Sequence, residues 1–398
     1  MIKAIICIIM VVCQLFCSCS IKRVSKEVNY SIKKISIPDQ IMPQKSNKNI
    51  KTIKSQYGSI VNNITVSKSC FNPTLNEYVA ISFIILKTAN VTIHVYDSDS
   101  TLIKTIIKNK KMTPGKHSVK WNGKDIEGYT IPDEAYFFTL IAKDKFGVNE
   151  IYDPTTFSGG IEYDLTNARI DPQSHAISYK MSEIGRVMIR MGIRGGPLLK
   201  TLVDWEPRTK GLITEHWNGN DEDNIIDIYN HNKFKMIIVY FTLPHNSIIS
   251  FGNKKYTYLS YKRSITVERQ IKPKRNSLAV RTSPHYDQLR TKDYTPNLLM
   301  NFSNILGKDK NGIPKIKGKT LVKVALSPED KKIFQNSQFE ICFFLDFKFY
   351  VEDESGYTPF NWMWDLSNIP EGYHIMTVNL STFNDQIGVI SKKVLVLK

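Results

Sequence analysis

Apolar and polar positions alternate along several short stretches of this chain. Val79, Ile81 and Phe83 alternate with Ala80 and Ser82, and Ile93 and Val95 alternate with Thr92 and His94. Val119 and Trp121 share one face of residues 117–121. A period of two sends successive side chains to opposite faces, so each stretch predicts a strand with one face in a core. Residues 64–66, 102–107 and the aromatic and β-branched run 136–142 read the same way. Turn residues separate them: Asp97 to Ser100, Pro114-Gly115, Asn122-Gly123 and Gly128. Asn122-Gly123 predicts a hairpin, because both residues tolerate positive φ. Strands roughly 8–12 residues apart with turns between them predict a β-sandwich.

The pattern then repeats. Ile177-Ser178-Tyr179 parallels Ile81-Ser82-Phe83, and Val187-Met188-Ile189-Arg190-Met191 parallels Val91-Thr92-Ile93-His94-Val95. Trp217-Asn218-Gly219-Asn220-Asp221 parallels Trp121-Asn122-Gly123-Lys124-Asp125. The tryptophans are 217 − 121 = 96 residues apart, the length of one sandwich domain. Asn224 stands where Gly128 does, and Asn is the next residue to accept a left-handed backbone. The near-continuous apolar run 236–241 predicts a closing strand buried on both faces. The second unit is expected to carry an insertion from Gly192 to Arg208, with Gly192, Gly195, Gly196 and Trp205 in place of a short turn.

Past Pro244 the pattern weakens. Residues 256–261, 265–267 and 321–326 are expected strands, with loop signals at 272–275 and 283–285. Ser327-Pro328 predicts a short helix through Phe334, with Ser as N-cap and Pro at the first helical position. Residues 342–350 predict one strand, and 375–380 and 388–397 close the sheet. Trp362 and Trp364 fall on the same strand face, either packed in a core or exposed for stacking. The chain is thus expected to be all-β: tandem β-sandwiches over 61–157 and 158–250, then a C-terminal β-rich domain over 251–398.

Phe71-Asn72-Pro73, Tyr96-Asp97, Pro114-Gly115, Trp121-Asn122-Gly123-x-Asp125-x-x-Gly128 and Pro132-x-x-x-Tyr136 occur in that order. This order resembles the immunoglobulin-like domain of flagellar hook-capping proteins, a module of secreted and surface bacterial proteins. The family usually has Gly where Glu134 or Ala135 stands, and here the pattern departs. The resemblance implies Ig-like sandwiches and an adhesive or spacer role. It does not imply flagellar function, since no hook-cap N-terminal region precedes the module. Trp121 is expected as a core plug beside Tyr96 and Tyr136, and Asp125 as an acceptor for backbone donors of its turn.

Residues 1–19 read as a targeting segment. Lys3 precedes an apolar stretch, residues 4–16, too short to span a bilayer. Phe16-Cys17-Ser18-Cys19 resembles a bacterial lipobox, which implies lipidation at Cys19; Ser20 after it implies sorting to the outer membrane. Residues 20–60 read as a flexible basic tether, with Lys22, Arg23, Lys26, Lys33, Lys34, Lys45, Lys48, Lys51 and Lys54 set against Glu27 and Asp39. A membrane reached through the lipid anchor is the expected partner, with an envelope protein or glycan beyond it and no nucleic acid. The formal charge of +17 suits an anionic surface, and lysine-rich composition alone would also produce it.

Candidate chemistry is sparse. Outside the targeting segment only Cys70 and Cys342 remain, which gives neither a disulfide framework nor metal-ligand spacing. The eight histidines are dispersed, and no His-Glu-x-x-His or Gly-x-Ser-x-Gly occurs. No catalytic residue, metal or cofactor is expected. The candidate partner-binding residues are Arg190, Arg194, Trp205 and Arg208: the arginines suit a carboxylate or phosphate held bidentately. The competing reading makes this loop a hairpin whose Trp205 packs on a neighbouring domain. A non-enzymatic scaffold or adaptor is expected. A glycan-binding lipoprotein with exposed Trp205, Trp362 and Trp364 is the alternative, followed by an enzyme with a site in residues 247–398.

Overall fold

The alternating segments are strands, and they build three sandwich modules. The computed structural model describes residues 59–98, 100–255, 257–258, 260–262, 295–334, 337–383 and 386–398. The targeting segment with Cys19, the tether up to residue 58, the expected strand at 265–267 and the loops at 272–275 and 283–285 lie outside the described residues.

Module one contains β1 (Val61–Val66), β2 (Cys70–Phe71), β3 (Val79–Ile85), β4 (Ala89–Asp97), β5 (Leu102–Met112), β6 (Gly115–Trp121), β7 (Glu134–Asp144) and β8 (Asn149–Tyr152). One sheet has the order β1-β3-β6, and the facing sheet includes β7, β4 and β5 in that order. The inward set Val79, Ile81, Phe83 and Ile85 meets Val91, Ile93, Val95, Phe138 and Leu140 in one core. Trp121 plugs this core between Phe71 and Tyr136, at centroid distances of 5.6 and 5.5 Å. Tyr96, expected beside it, stacks instead on Phe137 at 5.4 Å. Trp-Asn-Gly is not a two-residue hairpin. After it the chain crosses to the opposite sheet, and of the pair only Gly123 has positive φ, at 69°. A Cβ there would lie 2.5 Å from Pro73 Cβ, so the close approach itself demands glycine.

Module two contains β9 (Glu162–Asp164), β10 (Arg169–Asp171), β11 (Ala176–Met181), β12 (Gly185–Ile193), β13 (Leu198–Arg208), β14 (Gly211–His216) and β15 (Phe234–Thr242), in sheets β10-β11-β14 and β13-β12-β15-β9. The segment from Gly192 to Arg208 is not an insertion. β12, its turn and β13 match β4, its turn and β5 residue for residue at the same 96-residue offset (185 − 89 and 208 − 112).

The expected end of the second unit at residue 250 is also corrected. Strand β16 (Ile248–Ser250) returns to module one, where it pairs with Glu134–Tyr136 of β7 and in parallel with β2. β8 pairs with Leu140–Lys143 on the same flank of β7. β8 and β16 therefore lie in line along the same side of β7, and module two is inserted between them in sequence. Asn246 secures the return by donating to Tyr152 Oη (2.9 Å) and to the Ile64 carbonyl (3.0 Å). Of the expected strand 256–261, residues 258, 260 and 261 are helical, as is 262, and they lie against module one. Tyr261 donates from its backbone N–H to the Thr257 carbonyl and from its hydroxyl to Asp125 Oδ2 at 2.9 Å.

Module three contains β17 (Leu298–Phe302), β18 (Lys315–Lys317), β19 (Lys319–Leu326), helix α1 (Pro328–Phe334), β20 (Phe339–Leu345), β21 (Lys348–Gly356), β22 (Phe360–Asp365), β23 (Gly372–Thr382) and β24 (Ile387–Leu397). Its sheets β17-β19-β22 and β18-β24-β23-β20-β21 follow the plan of module one. Residues 342–350 form a hairpin rather than one strand, because Asp346 and Phe347 both take positive φ (49° and 67°) and reverse the chain. Trp364 is buried in this core and stacks on half-buried Trp362 at 6.1 Å. Among the described residues no helix is long and apolar enough to cross a membrane.

Candidate functional site

The residues singled out for partner binding gather on and around the β12–β13 hairpin, and what they meet is the rest of the chain. In a sandwich strand the inward side chains fill the core and the outward ones face solvent. On β12 all nine residues are buried. The inward set Val187, Ile189, Met191 and Ile193 fills the core of module two. The outward set begins with Arg186 and Met188, which face module one.

Arg186 is fully buried. Its guanidinium donates to Ser98 Oγ (2.5 Å), to Glu134 Oε1, and to the Trp205 carbonyl (2.9 Å). Glu134 is equally buried, so two opposite charges from different modules neutralise each other away from water. Such a pair is strongly destabilising to break, since either partner alone would be an uncompensated charge. Around it Ala135, Met188, Trp205, Val239, Phe241 and Leu243 form an apolar cluster. Trp205 is thus buried, and it adopts φ 56°, unusual for a bulky residue. It sits in a β-bulge, where three steps from Val203 to Glu206 oppose two from Ile189 to Val187.

Arg190 is also buried, with Nη2 3.9 Å from Asp204 Oδ1. Asp204 in turn accepts from Thr295 Oγ1 at 2.9 Å, at the approach to module three. Arg208 is half-buried and clamps Glu215 (2.7 Å) and Glu206 (2.9 Å) within its own module. Burial works against its charge, but Glu215 and Glu206 outweigh burial and raise its pKa. Tyr179 donates to the same Glu215 at 2.9 Å; burial, then that carboxylate, push its hydroxyl upward. Arg194 alone of the four is exposed. Its charge, after burial, lowers the pKa of Lys235.

The glycine-rich turn is an internal contact as well. A Cβ on Gly196 would lie 2.6 Å from the Phe347 carbonyl of module three. Leu198 exchanges two hydrogen bonds with the Asn379 side chain: its N–H donates to Oδ1 (2.9 Å) and its carbonyl accepts from Nδ2 (2.7 Å). Asp223 Oδ2 accepts from the Ser391 backbone N–H at 2.6 Å. The acidic run 221–223 serves the fold in this way: Asp221 Oδ1 accepts from the Ile225 and Ile226 N–H groups, as Asp125 Oδ1 does from Glu127 and Tyr129.

Trp121, Trp205, Trp217 and Trp364 are buried, so stacking on a sugar would fall to half-buried Trp362, which Phe343 and Tyr350 already flank. Cys70 and Cys342 are not joined in a disulfide. One grouping escaped the sequence reading: Glu340, Cys342 and Glu352 bring three metal-capable atoms within 4.8 Å of one another. Two residues share a strand face at i and i+2, and the third joins them across the hairpin, so the signal depended on knowing the register.

No protein-family model matches the chain, and no curated protein matches it. Among solved structures it is similar to FlgD from P. aeruginosa, at 21% identity over 23% of this chain and 66% of that chain, with a TM-score of 0.19. It is similar to an endo-beta-1,4-mannanase from Thermotoga petrophila at 16% identity over 39% of this chain and 27% of that chain, TM-score 0.19. A structure concerning host cell surface retention of a 1.5-MDa bacterial ice-binding adhesin is matched at 10% identity over 85% of this chain and 98% of that chain, TM-score 0.17. Neither FlgD nor the mannanase is covered over two thirds of its own length. The modular all-β architecture rests on the strand orders described above.

Proposed function

We propose that this chain is a membrane-anchored envelope lipoprotein that acts as a non-enzymatic scaffold: an anchor at Cys19, a basic tether, and an array of Ig-like sandwiches fixed to one another. One observation carries this reading. Two residues singled out for a partner, Arg190 and Trp205, are buried, and Trp205 joins Arg186 and Glu134 in the contact between modules one and two. A spacer or adaptor needs a defined geometry between its ends, and buried junctions supply it. Phe16-Cys17-Ser18-Cys19 supports the anchor, and the tether's lysines and arginine favour a surface of lipid phosphates by about 1 kcal/mol per cation close to it. The outer membrane is the proposed location, by the lipobox and Ser20.

Detergent-phase partitioning of the protein from its native cells tests the anchor. Wild type is expected in the detergent phase and Cys19→Ala in the aqueous phase. A Cys19→Ala protein that still partitions with detergent after removal of the targeting segment would overturn the lipoprotein reading.

A further inference from the structure

The open sides of modules one and three carry opposite charge. β5 and β21 hold the same place in their modules: each is the last strand of its sheet, hydrogen-bonded on one side only among the described residues. Each is followed by the edge strand of the facing sheet, β6 or β22, so each pair forms one flank of its sandwich. From Leu102 to Trp121 the sequence has no acidic residue, and Lys108, Lys110, Lys111, Lys116 and Lys120 are exposed. From Lys348, which opens β21 at its hairpin end, to Asp365 there is no other Lys, Arg or His, and Glu352, Glu354 and Asp365 are exposed, Asp365 3.9 Å from Lys319. The matching flank of module two is mixed, and its Arg208 is satisfied internally by Glu206 and Glu215.

An open strand edge is a template for another strand, and like charges along it block pairing with its own kind. Two β5 edges repel, as do two β21 edges. A β5 edge and a β21 edge attract, and both still offer free backbone groups. We propose that copies of this chain associate head to tail, the lysine-lined flank of module one docking on the acidic flank of module three of the next copy. Such a contact joins two different patches and leaves each copy one unused flank, so it can propagate from copy to copy as an open chain, or as a ring where the rotation closes. The acidic flank is prepared for cations. Glu340 and Glu352 crowd together beside Cys342, and burial, then the Glu340 charge, hold the Glu352 carboxyl above its usual range. Phe349, Tyr350, Tyr357 and Met363 are exposed on the same strands and their loop, and suit the stems and ammonium groups of lysines. The inference is independent of the lipid anchor, which partitioning reads separately.

Sedimentation velocity of the detergent-solubilised full chain tests it. Wild type is expected to assemble at about 0.01 M salt and to dissociate at about 1 M, where the screening length falls from about 30 to about 3 Å. The variant Lys108→Glu/Lys110→Glu/Lys111→Glu removes the positive excess of the module-one flank and keeps the acidic flank of module three, and Glu352→Lys/Glu354→Lys removes the negative excess of the module-three flank and keeps the lysine flank of module one. Each alone should associate at least about tenfold more weakly than wild type, and an equimolar mixture of the two should assemble again. All five side chains are exposed, and circular dichroism confirms that each variant is folded. A wild type that stays monomeric at low salt, variants that assemble as wild type does, or a mixture that stays monomeric would overturn the proposal. So would assembly that needs an added divalent cation, which would assign the acidic flank to a metal, or a lysine flank that binds anionic vesicles without self-association.

Discussion

β4 and β12 occupy the same place in two copies of one module, and only one of them has an outer face in water. On β4 the burial alternates, with Asn90 exposed and Thr92, His94 and Tyr96 half-buried. On β12 the matching positions Arg186, Met188, Arg190 and Gly192 are all buried. The bulge on the next strand differs in the same way. Asn109 takes φ 49° on the surface, and Asn enters the left-handed region readily. Trp205 takes φ 56° at the corresponding place and is buried. The inner faces build two similar cores. The outer faces decide that one copy is a free-standing sandwich surface and the other is the joint of the molecule. Residues that fit a β-sandwich poorly, a buried arginine and a left-handed tryptophan, mark where a second surface covers it.

The comparison can be broken position by position. Arg186→Ala leaves Glu134 buried without its cation and should destabilise the protein by about 3–5 kcal/mol, whereas Asn90→Ala should stay within about 0.5 kcal/mol, both read by urea denaturation. Equal effects would mean that the outer face of β12 is no different from that of β4. Trp205→Gly is next. Loss of a buried large aromatic removes about 3–5 kcal/mol, and relief of the left-handed backbone returns about 1, for a net loss of about 2–4 kcal/mol. Asn109→Gly should be nearly neutral in the same assay.

Gly196→Ala sharpens the contrast at the other junction. Its Cβ would meet the Phe347 carbonyl, so overpacking should cost about 1–3 kcal/mol and widen the angle between modules two and three in small-angle scattering. Ser100→Ala, at the same place in the turn after β4, should change neither reading. The smallest effect belongs to Arg194→Ala. This side chain is exposed, so the melting curve should move by no more than about 0.5 kcal/mol, while Arg190→Ala loses a buried charge and should exceed it several-fold. A large loss from Arg194→Ala would place an unrecognised contact on this turn.

The inner faces were legible from the sequence and the joints were not, for a physical reason. Alternation reports burial of one face, so β3, β4, β6 and β11 could be read directly, and the Trp-Asn-Gly spacing carried the repeat. Asp125 could be read as a turn acceptor because its partners are local. Burial of an outer face by another module leaves no period. Its one trace was compositional: the apolar run of β15, correctly expected to be buried on both faces, lies beside β12, where Met188 alternates with Arg186 and Arg190. Read as solvent-facing with Arg194 and Arg208, Arg190 suggested an external partner. The return of β16 was hidden because three residues pair with a strand more than a hundred positions earlier. The β20–β21 hairpin of module three was hidden because Asp346-Phe347 is a poor turn sequence that nevertheless takes two positive φ values.

Calorimetric unfolding of the full chain tests the central claim, that the outer face of β12 and the paired strands β8 and β16 on β7 fuse modules one and two into one body. The account predicts that these two modules melt in a single transition whose calorimetric and van't Hoff enthalpies agree, and that Arg186→Ala divides it. Separate transitions for modules one and two in the wild-type protein would contradict it.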